Sequence, residues 1–244
     1  MGKKSFRIDI ISLFPEYFKG PFSTSLISKA INNKLLFIKV HDIRRHGIGK
    51  HKQVDDRPFG GGPGMVLKPE VLTLSLEKVK QEGKKDGYNK QPYVIILDPA
   101  GKTLDQQKVK RLSKKDWLVL ICGHYEGFDE RFKEIFADEE ISIGDYILSG
   151  GESAAAVLVD SISRLIPGFA GKKESIKNES FTKVLVNNKL VKLLDYPVYT
   201  RPLNFLGQKV PEVLMSGNHK KIREWRLASQ LAKTKKKRTD LLKI

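Results

Sequence analysis

Apolar and polar residues alternate from 6 to 13 (FRIDIISL), the period-two pattern of a strand, and Phe14-Pro15-Glu16 then opens a helix. Helical spacing continues over 27–31, and 35–40 reads as a second strand. Helices are expected over 69–81, 104–112 and 129–136, with 82–91 a lysine-rich exposed loop. The apolar runs 93–97 and 117–122 read as buried strands, and 140–148 as another strand. A helix then runs to about residue 166, with Ala154, Val157, Leu158, Ser161, Ile162 and Leu165 facing inward and Arg164 off that face. Strands alternating with helices predict an α/β domain with a parallel sheet.

Three of the expected strands end in glycine- or proline-bearing turns. These are Asp98-Pro99-Ala100-Gly101, Gly123-His124-Tyr125-Glu126-Gly127 and Ser149-Gly150-Gly151-Glu152. Open α/β sheets bind ligands beyond the carboxyl ends of their strands, so these turns can converge on one pocket. Gly150-Gly151 either only turns the chain from strand to helix, or lets backbone N–H groups approach a ligand that a Cβ would block. No Gly-x-Gly-x-x-Gly follows these strands, which argues against an ordinary dinucleotide site. The stretch 42–65 is basic, glycine-rich and too long for an ordinary connection. It lacks the Gly-Lys-Ser/Thr ending of a P-loop.

Charge changes the picture. Lysine and arginine number 45 against 28 acidic residues, a net charge of +17 over 244 residues. Such an excess favours a polyanionic partner, with nucleic acid ahead of a membrane surface because no basic amphipathic helix with an aromatic face stands out. No apolar run is long enough to span a bilayer and no signal-peptide core precedes the first strand, so a cytoplasmic location is expected. Cys122 is the single cysteine, inside an apolar run, and reads as a small core side chain. The five histidines lack metal-ligand spacing, so no metal site is assigned. The polar stretch 168–192 is the candidate linker, separating a domain over 1–167 from a small helical domain over 193–244.

VDDRPFGGGPGM, GHYEGFDER, IGDYILSGGE, DSISRLIPG, DYPVYTRP and PEVLMSGNHKKIREWR occur in this order. Together, over almost the whole chain, they resemble the bacterial tRNA (guanine-N1)-methyltransferases of the TrmD type, in the SPOUT superfamily. The resemblance implies an α/β domain ending in a trefoil knot, then a small helical domain that binds tRNA. It implies a homodimer whose active sites are shared between subunits. The implied reaction moves a methyl group from S-adenosyl-L-methionine to N1 of the guanosine immediately 3′ of the anticodon.

Carried over by residue, the resemblance puts the methyl donor on Leu97, Pro99, Gly123, Tyr125, Glu126, Ile143, Gly144, Tyr146, Leu148, Gly150 and Gly151. Guanine N1 carries a proton, so the transfer needs a base there and a cation at O6. The resemblance makes Asp195 the base and Arg164 the cation. On the residues alone, Asp195 suits a turn before Pro197, and Arg164 suits a helix ion pair with Asp160. A carboxylate in water is a weak base, so Asp195 is expected to become ordered and partly desolvated when tRNA docks. Arg44, Arg45, Lys50, Lys52, Arg57, Lys220 and Arg223 are expected on tRNA phosphates. Dependence on Mg²⁺ is implied without a site. The chain departs from the family pattern in an apparent insertion over 182–192, in Ser153 where proline is common, and in Val198 where histidine is usual.

Overall fold

The computed structural model describes residues 4–170, 179–186 and 188–242. The chain divides into two compact units, one up to residue 171 and one from residue 172. The first runs β1 (Phe6–Ser12), α1 (Lys19–Phe22), α2 (Ser25–Asn32), β2 (Leu36–Asp42), β3 (Asp55–Asp56), β4 (Val66–Leu67) and α3 (Pro69–Lys85). It continues with β5 (Tyr93–Thr103), α4 (Gln106–Leu112), β6 (Trp117–Cys122), α5 (Glu130–Phe136), β7 (Glu139–Ser142) and α6 (Glu152–Ser163). A five-stranded sheet of order β2-β1-β6-β5-β7 is parallel throughout. The expected α/β architecture with a parallel sheet is therefore present.

Helices cover both faces of this sheet, so β1 and β6 are buried at every position. Ile8, Ile10, Leu118 and Leu120 pack on one face with Ile27, Leu112, Leu158 and Ile162 from α2, α4 and α6. Ile11, Val119 and Ile121 pack on the other with Leu72, Leu76 and Phe132 from α3 and α5. Cys122 is buried in the first core, as expected. Burial pushes its thiol pKa well above the ordinary value, and the nearby Glu152 charge adds to that. No described helix is long and apolar enough to cross a membrane.

Several sequence expectations need correction. The strand expected over 140–148 stops at Ser142, whose side-chain oxygen accepts the Gly144 N–H at 3.2 Å and so competes with the sheet ladder. The turn expected after Leu97 is instead an excursion within β5, since Leu97 and Lys102 both pair with Ile141. α3 continues past the expected end at 81, with Glu82 held by Lys39 at 2.8 Å. On α6, Ala155 and Val159 are fully buried, whereas Val157, expected inward, is 47% exposed.

The second unit holds the antiparallel hairpin of β8 (Thr182–Val186) and β9 (Lys189–Leu193), a short pair of β10 (Asn204–Phe205) and β11 (Gln208–Lys209), and α7 (His219–Lys237). It thus combines two hairpins with one long helix and is not helical throughout. The first hairpin occupies the apparent insertion, inside the stretch expected to be a linker; residues 171–178 of that stretch lie outside the described residues. The hairpin's end is tied to α7, where Leu194 N–H donates to the Thr234 hydroxyl at 2.9 Å. Asn218 caps α7, its side chain accepting from the N–H groups of Lys220 and Lys221.

Candidate active site at the carboxyl edge of the sheet

β6, β5 and β7 are neighbours in the sheet, so the segments leaving their carboxyl ends meet. They enclose a cleft of about 430 Å³ in the first unit. Every residue that the resemblance assigns to the methyl donor lines it: Leu97 and Pro99 from β5, Gly123, Tyr125 and Glu126 after β6, and Ile143, Gly144, Tyr146, Leu148, Gly150 and Gly151 after β7.

Local bonds fix the three segments against one another. Gly151 N–H donates to the Gly123 carbonyl at 2.8 Å, and His124 and Gly150 form an antiparallel bridge. Glu152, at the start of α6, is buried and accepts the Ser12 hydroxyl at 2.7 Å, which ties the glycine turn to the end of β1. The Tyr146 hydroxyl donates to the Ile143 carbonyl at 3.3 Å, curling the segment after β7 back on itself. Tyr146, Ile147 and Leu148 are nevertheless 54%, 83% and 39% exposed. Apolar side chains beside a cleft, rather than inside a core, mark a surface that awaits a ligand or a partner.

Gly151 has a packing reason of its own. A Cβ there would lie 2.8 Å from the Cys122 Cα and 2.9 Å from the Gly123 N, in contact with backbone that cannot swing away. The turn therefore needs glycine for close packing of two strand ends at the cleft floor. Gly151→Ala should push the turns apart and destabilise the first unit by about 1–3 kcal/mol. Urea unfolding checks this, and an unchanged midpoint would show that the two strand ends can separate without cost.

The cleft is chemically mixed. Leu97, Ile143, Tyr146 and Leu148 supply apolar walls, and the turns supply backbone donors and acceptors. Asp98 and Glu126 are the carboxylates among the lining residues, and no lysine or arginine among the described residues lines it. Asp98 pairs with Lys133 at 3.6 Å, which leaves Glu126 as the lining carboxylate without an ion pair among the described residues. A cleft with so little positive charge in a chain of net charge +17 suits a neutral or cationic ligand better than a phosphate. Asp98 is partly engaged, its Oδ1 accepting the Ala100 N–H at 2.8 Å. His124, which sequence reasoning passed over, also lines the cleft, with its ring 4.8 Å from Phe14 and 5.0 Å from Tyr125. Its place between Gly123 and Tyr125 was the available signal.

The two expected catalytic residues lie in different units, Arg164 in the first and Asp195 in the second. Arg164 is the exposed C-cap of α6, its N–H donating to the Asp160 carbonyl at 3.2 Å. Asp195 is half-buried, with its main chain anchored on both sides. Its N–H donates to the Ser180 hydroxyl at 3.0 Å, and its carbonyl accepts from Lys233 Nζ at 2.9 Å. Carboxylate Oδ1 accepts the Tyr196 N–H at 2.8 Å. Of the residues expected on RNA phosphates, Arg45, Lys50, Lys52, Arg57, Lys220 and Arg223 are exposed. Arg44 is exposed too, but its guanidinium donates to the Leu13 carbonyl at 2.5 Å, so part of its hydrogen-bonding capacity serves the end of β1.

Comparison with known proteins bears on the whole chain. The family model described as tRNA (Guanine-1)-methyltransferase TrmD matches residues 6–244. A tRNA (guanine-N(1)-)-methyltransferase of Endomicrobium trichonymphae is 52% identical over 241 residues, covering 97% of this chain and 99% of the relative. Relatives of the same name from Alkaliphilus oremlandii and Carboxydothermus hydrogenoformans are 47% and 45% identical. Those two alignments cover 97% and 98% of this chain, and 92% and 88% of the relatives.

Proposed function

Because the chain belongs to the tRNA (guanine-1)-methyltransferase TrmD family, we propose that it methylates N1 of the tRNA guanosine immediately 3′ of the anticodon, with S-adenosyl-L-methionine as donor. One observation carries the reading: all residues that the family pattern would assign to the donor line a single cleft at the carboxyl edge of the sheet. The cleft's composition fits the group, with apolar walls for a purine ring, backbone atoms for its edge, and carboxylates as the charged lining side chains. When bound, S-adenosylmethionine supplies an electrophilic methyl group on a positively charged sulfur.

The chain's own residues then have two tasks at guanine. Asp195 takes the N1 proton, turning the ring nitrogen into a nucleophile. Oδ1 is occupied by the Tyr196 N–H, whereas Oδ2 has no hydrogen-bond donor among the described residues and is the oxygen proposed to receive the proton. Arg164 opposes the negative charge that collects on O6 as the proton leaves. Docking of tRNA brings guanine N1 to this carboxylate and displaces water from it.

A homodimer with shared active sites goes with this reading. The exposed Tyr146, Ile147 and Val157 support it, since they leave apolar surface open beside the cleft. The family's trefoil knot is proposed here too, supported by the closure of the 149–151 turn on Gly123 and His124. Mg²⁺ is carried over as a requirement without an assigned site, and tRNA as substrate makes the cytoplasm the workplace.

The test is nucleoside mass spectrometry of tRNA incubated with enzyme and labelled donor, in which 1-methylguanosine should appear. A ribose methyl or a different methylated base would point to another SPOUT reaction. Absence of any transfer, with RNA binding intact, would leave a binding protein. A second expectation concerns charge: the logarithm of tRNA affinity should fall linearly with that of salt concentration, by roughly 0.9 per phosphate contacted. Filter binding across a salt series checks it, and a flat response would take the excess lysines and arginines away from the RNA.

A further inference from the structure

A second, larger cavity of about 890 Å³ opens at the opposite edge of the same sheet, where β1, β5 and β6 begin. β6 is six residues long, so at ~3.3 Å per residue the two edges stand about 20 Å apart. Lys4, Lys34, Lys90, Lys114 and Lys115 line this groove. Lys4 Nζ lies 3.9 Å from the centre of the Tyr88 ring and Lys115 Nζ 4.2 Å from that of Tyr93. Aromatic faces position these two ammonium groups without neutralising them.

Carboxylates do not cancel the charge. Among the described residues, Lys90 pairs with Asp116 at 3.5 Å, an exposed contact, while no ion pair involves Lys34, Lys114 or Lys115. The other acidic lining residue, Asp138, accepts the Val94 N–H at 2.7 Å. Lys34 also sits at φ +57°, a left-handed conformation that lysine adopts at a cost, and the Ser5 hydroxyl holds its carbonyl at 2.6 Å.

We propose that this groove holds phosphates of an RNA segment remote from the methylated nucleotide. The lysines come from four separate stretches of chain and are spread along an open edge, and among the described lining residues there is no arginine fork to grip a single phosphate. Point charges strung along a groove match a phosphodiester backbone. The inference rests on tRNA being the substrate, and it extends the contact area to a face away from the donor cleft.

The test combines Lys34→Glu with Lys114→Glu, alongside the milder pair Lys34→Gln and Lys114→Gln in case charge reversal impairs folding. Fluorescence anisotropy with unmodified tRNA should give at least a tenfold loss of affinity for the reversed pair. The salt dependence should become shallower by about two in slope. Donor affinity and turnover at saturating tRNA should stay at wild-type values. Wild-type affinity and slope in both pairs would overturn the proposal. So would lysine-dependent binding of inorganic phosphate or guanosine monophosphate with tRNA affinity unaltered, which would assign the groove to a small anion. If no 1-methylguanosine forms yet the variants lose RNA affinity, the groove stands and the assigned reaction falls.

Discussion

Asp195→Asn should slow methyl transfer by about 100- to 10,000-fold, the usual contribution of a positioned general base. Asparagine has the size of aspartate, and its side-chain oxygen can still accept the Tyr196 N–H that Oδ1 accepts now. The main-chain anchors to Ser180 and Lys233 involve backbone atoms and remain. What the variant loses is the ability to take a proton. A residue that only shaped the turn before Pro197 would tolerate this change, so the substitution separates the two roles. Single-turnover formation of 1-methylguanosine is the readout, with donor affinity by calorimetry expected to stay within a factor of two. Turnover at the wild-type rate would strip Asp195 of its role and send the search for the base to other carboxylates.

How far the sequence led differs from element to element, for physical reasons. β6 was legible to the residue because a strand buried on both faces is a continuous apolar run bounded by polar residues. The segment 143–148 was misread because it is as apolar as a strand. Its side chains leave the sheet at Ser142 and border a cleft, and hydropathy does not distinguish a core from a ligand wall. The convergence of the three turns was legible although only the one after Cys122 starts directly at a strand end. The other two are an excursion within β5 and the close of the segment that follows β7, and the order β6-β5-β7 brings them to one edge. Asp195 and Arg164 carried no local signal, since a turn carboxylate and a helix-end arginine are ordinary; only the long ordered pattern singled them out. The hairpin at 182–193 went unread because its alternation is carried by lysines and asparagines as much as by apolar residues.

β1 hides the largest stability effect expected in the first unit. Its alternation of Arg7 and Asp9 with apolar residues suggests a half-exposed strand, yet both charged residues are fully buried. Asp9 accepts from Arg7 Nε at 2.5 Å and Nη2 at 3.1 Å, and from Trp117 Nε1 at 2.7 Å, with His41 Nε2 also 2.7 Å away. The Arg7 guanidinium lies 4.9 to 5.3 Å from the ring centres of Phe37, Tyr88 and Trp117, and also bonds Asp86 at 2.6 Å. Asp9→Ala would leave the cation and the indole N–H without their buried acceptor, a loss of about 3–5 kcal/mol. Urea unfolding near neutral pH measures it, and an unchanged midpoint would mean that solvent or Asp86 replaces the lost carboxylate. Acid adds a second signature. Burial alone would raise the Asp9 pKa, but the bonds from His41 and Arg7 outweigh it and hold the carboxyl below the ordinary aspartate range. A depressed carboxyl stabilises the fold fully above the unfolded value of ~3.9 and loses that contribution as pH falls through the folded value. The wild-type chain should therefore lose stability more steeply than the Asp9→Ala variant below about pH 4. Parallel acid limbs would show that the charge on Asp9 contributes nothing, leaving only its packing and hydrogen bonds.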